Sequence, residues 1–161
     1  VPDALDTGAA HASGDYTHAH ATELGTLPAA ITDSSFCPPG ASTGYDYDYV
    51  RFTAPTSGHL VITTSGYVGD VPSTRITHSV QYSADGTASN LRTLRTVSTY
   101  GVDYGLSTSC EVGCSYSYLP RNAAFGPLTW RIPVPAGVHY MYSYSQGTVL
   151  ERYSIALQLD A

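Results

Sequence analysis

The sequence predicts an all-β fold, an antiparallel β-sandwich of jelly-roll type. Three observations predict it. Runs of seven to eleven residues alternate between apolar and polar side chains, the period of a strand with one buried and one wet face. Gly, Pro and Asp-Gly signals separate most of these runs. The composition is that of strands and turns. Only 12% of the 161 residues are charged, against about 25% in an average soluble protein. In place of charge the chain uses Ser, Thr, Gly and 14 tyrosines. Thr and Tyr favour strands and Gly favours turns.

The elements follow in order. Residues 1–21 are Ala, Gly, His and Asp with few apolar anchors, and are expected to form an irregular N-terminal arm of a single domain spanning 1–161. In DYDYVRFTA (46–54), Asp48, Val50 and Phe52 share one face, and Tyr47, Tyr49 and Arg51 the other. TSG (56–58) turns the chain. HLVITTS (59–65) sets Leu60 and Ile62 against His59, Val61 and Thr63. TRITHSVQYS (74–83) places Ile76, His78, Val80 and Tyr82 together, and Asp85-Gly86 after it is a hairpin signal. LRTLRTVSTY (91–100) is ambiguous: Leu91 and Leu94 have helical spacing, whereas Thr and Val favour a strand. PLTWRIPV (127–134) alternates around Leu128, Trp130 and Ile132; PAG (135–137) turns the chain. VHYMYSYS (138–145) puts Val138, Tyr140, Tyr142 and Tyr144 on one face. The last run, 149–159, aligns Tyr153, Ile155, Leu157 and Leu159. The phrases APTSGHLVI and PVPAGVHYM echo each other and read as one hairpin device used twice.

Charge narrows the partners. The net charge is −6, there is no lysine, and the seven arginines are scattered. Nucleic acid and anionic membrane surfaces need clustered cations, so neither is an expected partner. No apolar run approaches the ~20 residues that span a bilayer. No charged-then-apolar leader opens the chain, and Val1 is expected to begin a mature chain whose export signal has been removed. Cys37, Cys110 and Cys114 fit an exported protein with one disulfide and one cysteine left over. Cys110–Cys114 would staple a short loop, and Cys37 could reach either one.

DYDYVRFTAPTSGHLVITTS resembles the first half of a bacterial pre-peptidase C-terminal domain: an Asp-x-Asp-Tyr-x-x-Phe strand, a Pro/Gly turn, then an alternating strand. VPAGVHYMYSYSQGTVLERYSIALQL is similar to that family's ending. The resemblance covers roughly residues 22–65 and 132–159. Between them STRITHSVQYS stands where the family carries an Asp-rich segment. The resemblance implies a jelly-roll-like sandwich without catalytic residues. It implies an accessory to an enzyme, a surface or a larger extracellular or cell-envelope assembly, with a protein partner.

Two other readings rest on particular side chains. His18-Ala19-His20 is a His-x-His pair, and imidazole suits copper, zinc and nickel. The pair resembles that of the copper/zinc superoxide dismutases. Their zinc loop and C-terminal Cys-Gly are missing here, so the resemblance implies a copper-only redox site. His18 and His20 would be ligands, completed by His59, His139 or His11. His59 and His139 each follow a Gly turn and are expected near sandwich rims, whereas His78 is expected to be buried and hydrogen-bonded. The other reading is a carbohydrate- or calcium-binding module. Asp46 and Asp48, with Glu23 or Asp33, would supply oxygen ligands to calcium. Tyr47 and Tyr49, with whichever of Tyr116, Tyr118, Tyr140, Tyr142 and Tyr144 face outward, would form an aromatic strip for polysaccharide or protein. His-Glu-x-x-His and phosphate-loop signatures do not occur.

Overall fold

The computed structural model describes residues 17–36, 47–67, 76–98, 124–145 and 151–161. Within them, a 3-10 turn, η1 (His18–His20), precedes nine strands. These are β1 (Thr22–Thr26), β2 (Ala29–Phe36), β3 (Tyr47–Ala54), β4 (Gly58–Tyr67), β5 (Ile76–Ser83), β6 (Leu91–Ser98), β7 (Ala124–Val134), β8 (Gly137–Ser145) and β9 (Glu151–Asp160). They form a five-stranded sheet in the order β1-β3-β8-β5-β6 and a four-stranded sheet in the order β2-β9-β4-β7. The β-sandwich expected from alternation is the observed architecture. Pairing is antiparallel except between β1 and β3, which run parallel, so the larger sheet is mixed. TELGT in β1 carries no clean alternation from which that pairing could be read.

The core lies between the sheets. Val50 and Phe52 of β3, Ile76 and Val80 of β5, Val97 of β6 and Met141 of β8 descend from one sheet. They meet Ile31 of β2, Leu60 and Ile62 of β4, Trp130 and Ile132 of β7, and Tyr153, Ile155 and Leu157 of β9. Burial of one such side chain contributes about 1.5–3 kcal/mol. β3 shows the period plainly: every second residue from Asp48 to Ala54 is buried and the alternate ones are partly exposed. Arg95 of β6 fastens the sheets polarly, its guanidinium donating to the Arg131 carbonyl of β7 at 2.8 Å.

The echoed Pro-to-Gly phrases are not hairpins. β3 belongs to the larger sheet and β4 to the smaller; β7 belongs to the smaller and β8 to the larger. Each phrase is therefore an arch that carries the chain across the sandwich. Because β3 pairs with β8 and β4 with β7, the arches lie side by side, and the Ala136 N–H donates to Ser57 Oγ at 3.0 Å. The Asp85-Gly86 signal does mark a hairpin, since β5 and β6 pair antiparallel. In its loop the Asp85 carboxylate accepts from the Thr87 hydroxyl and N–H and from the Ser83 hydroxyl. Residues 91–98 are a strand. Val80 pairs with Arg95 and Gln81 with Thr93, leaving Leu94 as the extra residue of a bulge. That insertion breaks the period-2 pattern and accounts for the ambiguous spacing of the leucines.

Two glycines belong to the arches by necessity. Gly137 has φ +123° and faces the Tyr82 ring, and a methyl on Gly58 would collide with the backbone carbonyl oxygen of Asp160. Gly58→Ala and Gly137→Ala are each expected to lower unfolding free energy by about 1–3 kcal/mol, from overpacking and backbone strain respectively. Denaturation in urea checks this; a midpoint equal to wild type for either variant contradicts the arch geometry.

Candidate functional site

The outer face of the five-stranded sheet gathers the aromatic side chains. Tyr47 and Tyr49 of β3 stand directly opposite Tyr144 and Tyr142 of β8. Ring centroids are 5.1 Å apart for Tyr47–Tyr144 and 5.5 Å for Tyr49–Tyr142. Tyr142 and Tyr144 stack at 6.2 Å with 25° between planes. These four rings are partly exposed, and Tyr140 beside them is buried. Thr77, Ser79 and Gln81 of β5 lie in register with Tyr144, Tyr142 and Tyr140. The small Thr77 and Ser79 are fully buried, because the tall rings beside them exclude water. Arg51 and Glu23 form an ion pair at one corner, half-exposed and thus worth at most about 1 kcal/mol.

η1 sits on this face. The His18 ring lies edge-on to Tyr49 at 4.6 Å and near Tyr140 and Tyr142 at 5.8 and 6.3 Å. Its Nε2–H donates to Gln81 Oε1 at 2.5 Å. His20 bonds Thr17 instead, Nδ1 to Oγ1 at 3.0 Å. His-x-His is thus a 3-10 turn and not a strand, and its two rings take separate partners.

The other histidines lie in other layers. His59, on the outer face of β4, belongs to the smaller sheet; its Nδ1 is buried without a partner among the described residues. His139 is not at a rim. It is fully buried on the inner face of β8, stacked on Phe52 at 5.4 Å and 9°. Its Nδ1–H donates to the Gly137 carbonyl at 3.0 Å, and burial lowers its pKa. The Gly turn that precedes it is an arch, so the strand enters the core at once. Among the described residues no three His, Cys, Asp or Glu side chains converge on a metal position. His11, Cys37, Cys110, Cys114, Asp46, Tyr116 and Tyr118 lie outside the described residues.

A polar row crosses the interior. Asp48, Ser143 and His78 are consecutive partners across β3, β8 and β5. His78 Nδ1 and Ser143 Oγ are 2.7 Å apart, and Tyr153 reaches across from β9 to donate to Asp48 Oδ2. His78 is fully buried as expected. Burial pushes its pKa down from 6.5 to about 3, so its imidazole is neutral at physiological pH. Asp48 turns inward to Tyr153 and Glu23 outward to Arg51, so the two carboxylates do not share one cation. The row has Ser, His and Asp, but the serine stands between the other two, whereas nucleophilic catalysis needs the histidine there. All three are closed off from solvent.

No protein-family model matches the chain, and no curated protein matches it. A solved structure, the pre-peptidase C-terminal domain of a collagenase from Bacillus anthracis, is similar in fold at 13% identity and a TM-score of 0.46. That match covers 86% of this chain and 94% of that one. No helix among the described residues is long and apolar enough to cross a membrane.

Sequence reading missed three partnerships here. Gln81 as the acceptor for His18 and Arg95 as the bridge between sheets leave no local pattern. The Asp48–Tyr153 bond did leave one: Asp48 shares its face with Val50 and Phe52, a signal of burial that the reading of Asp48 as a calcium ligand passed over.

Proposed function

We propose that this chain is a non-catalytic accessory module of an exported assembly, in the extracellular space or at a bacterial-type cell surface. It meets a protein partner through the tyrosine face of the five-stranded sheet. The observation that carries this reading is the concentration of Tyr47, Tyr49, Tyr140, Tyr142 and Tyr144 on two paired central strands, bordered by uncharged Thr77, Ser79 and Gln81. Tyrosine brings a large apolar body, a polar tip and few rotatable bonds, which is why interfaces are enriched in it. The rings pack against one another at 5–6 Å and are only partly exposed, so neighbouring rings cover part of each flat face. That favours a protein surface over a stacked sugar. The buried Asp48–Ser143–His78 row supports the fold and not a reaction.

Native migration tests the reading. Wild-type protein from producing cells is expected in the medium or envelope fraction, in a species well above its own 17.1 kDa. Tyr49→Ser combined with Tyr142→Ser is expected to release it as a folded monomer. A wild-type monomer in the cytosolic fraction, or a double variant that stays assembled, refutes it. Stoichiometric copper in untagged protein, lost in His18→Ala/His20→Ala, would replace this reading with the copper-redox one.

A further inference from the structure

We propose that the same tyrosine face is a site of oxidative cross-linking, joining Tyr47 to Tyr144 and Tyr49 to Tyr142 under a peroxidase-type one-electron oxidant that consumes hydrogen peroxide. The inference does not depend on the assembly role. It rests on register and ring distance.

The two pairs are direct cross-strand partners, with centroids 5.1 and 5.5 Å apart and planes tilted by 37° and 39°. Each phenol gives one electron to the oxidant and its hydroxyl proton to water. The resulting phenoxyl radicals carry spin on the ring carbons next to the oxygen-bearing carbon. Two such carbons, one from each ring, form a C–C bond, and each then passes its hydrogen to its own oxygen, restoring two phenols. One hydrogen peroxide becomes two waters, and the tyrosine pair loses two hydrogens. Strand pairing holds the reacting rings together, which converts a bimolecular encounter into a unimolecular one.

Among the described residues, the surroundings direct oxidation to this face. Among the described residues Met141, Trp130 and Tyr153 are shut in the core. Tyr82 stands at the arches against His139. Tyr140 is in the cluster but pairs across strands with Arg51 and Gln81, so it has no tyrosine opposite and is an internal control. The product would weld β3 to β8 at the centre of the sheet, linking segments far apart in sequence. Closing so long a loop restricts the unfolded chain and stabilises the fold.

Dilute protein treated with peroxidase and hydrogen peroxide should stay monomeric and gain dityrosine fluorescence. Peptide mapping should recover Tyr47–Tyr144 and Tyr49–Tyr142 peptides lighter by two hydrogens, and the urea midpoint should rise. Tyr47→Phe should abolish the first linkage and spare the second; Tyr142→Phe should do the reverse. Tyr140→Phe should change neither. Phenylalanine keeps the packing, and circular dichroism confirms that each variant is folded. The proposal is overturned by linkages between molecules that grow with concentration, by other pairs dominating, or by no coupling while free tyrosine in the same mixture couples.

Discussion

Between pH 6.5 and about 3 the folded protein is expected to lose on the order of 4–5 kcal/mol of stability through His78 alone. The imidazole is fully buried, hydrogen-bonded to Ser143, and lies 6.1–6.2 Å from the Tyr153 and Trp130 rings. Its folded pKa lies below its unfolded one. Below pH 6.5 the unfolded chain therefore binds a proton that the folded chain refuses, and stability falls as pH falls until about pH 3. His139, also lowered by burial, adds to the same slope. Tyr153 lies against His78 from β9, Asp48 lies beyond Ser143 on β3, and Arg95 lies on the adjoining β6. Their contributions are common to wild type and variant, so the readout is a difference. His78→Asn keeps a polar partner for Ser143 and removes the titration. Urea midpoints from pH 7 to pH 4 should fall more steeply for wild type than for His78→Asn. Parallel lines would mean that His78 is protonated or solvated in the folded state.

The same residue marks how much the sequence disclosed. His78 was legible because Ile76 and Val80 flank it at period two, and a polar group inside such a pattern has to be buried and bonded. The inner faces of β3, β4, β7 and β9 were legible for the same reason. Alternation reports which side of a strand is wet, but not which sheet the strand joins. The arches at Pro55–Ser57 and Pro135–Ala136 therefore looked like hairpins, and His139 looked like a rim residue. The tyrosine face was half visible: Tyr140, Tyr142 and Tyr144 clearly shared a side, but only the β3–β8 register brings Tyr47 and Tyr49 opposite them. His18 was visible as a chemically able side chain. Its place against Tyr49 and Gln81 depends on a 3-10 turn that folds back over the sheet, which no local pattern announces.

Phe52→Ala is expected to cost about 3–5 kcal/mol, whereas Tyr142→Ala on the opposite face of the same strand pair should cost roughly 1 kcal/mol or less. Both residues are aromatic and both lie on the β3–β8 ladder, so size and strand context are nearly matched. Face is what differs. Phe52 is fully buried and stacks on His139; its removal leaves a cavity within the core between the sheets that a rigid sandwich fills poorly. The loss is the transfer free energy of the ring plus a penalty for the void. Tyr142 is partly exposed and leans on Tyr47, Tyr49 and Tyr144, so its truncation removes cross-strand ring contacts and opens no closed cavity. Urea unfolding of the two variants beside wild type gives both numbers directly. A Tyr142→Ala loss as large as that of Phe52→Ala would place the tyrosine rings in a core and end their candidacy as a surface for partners. A loss below about 1 kcal/mol for Phe52→Ala, far short of a core aromatic deletion, would instead overturn the inward assignment of β3, and with it the buried positions of Asp48 and Val50.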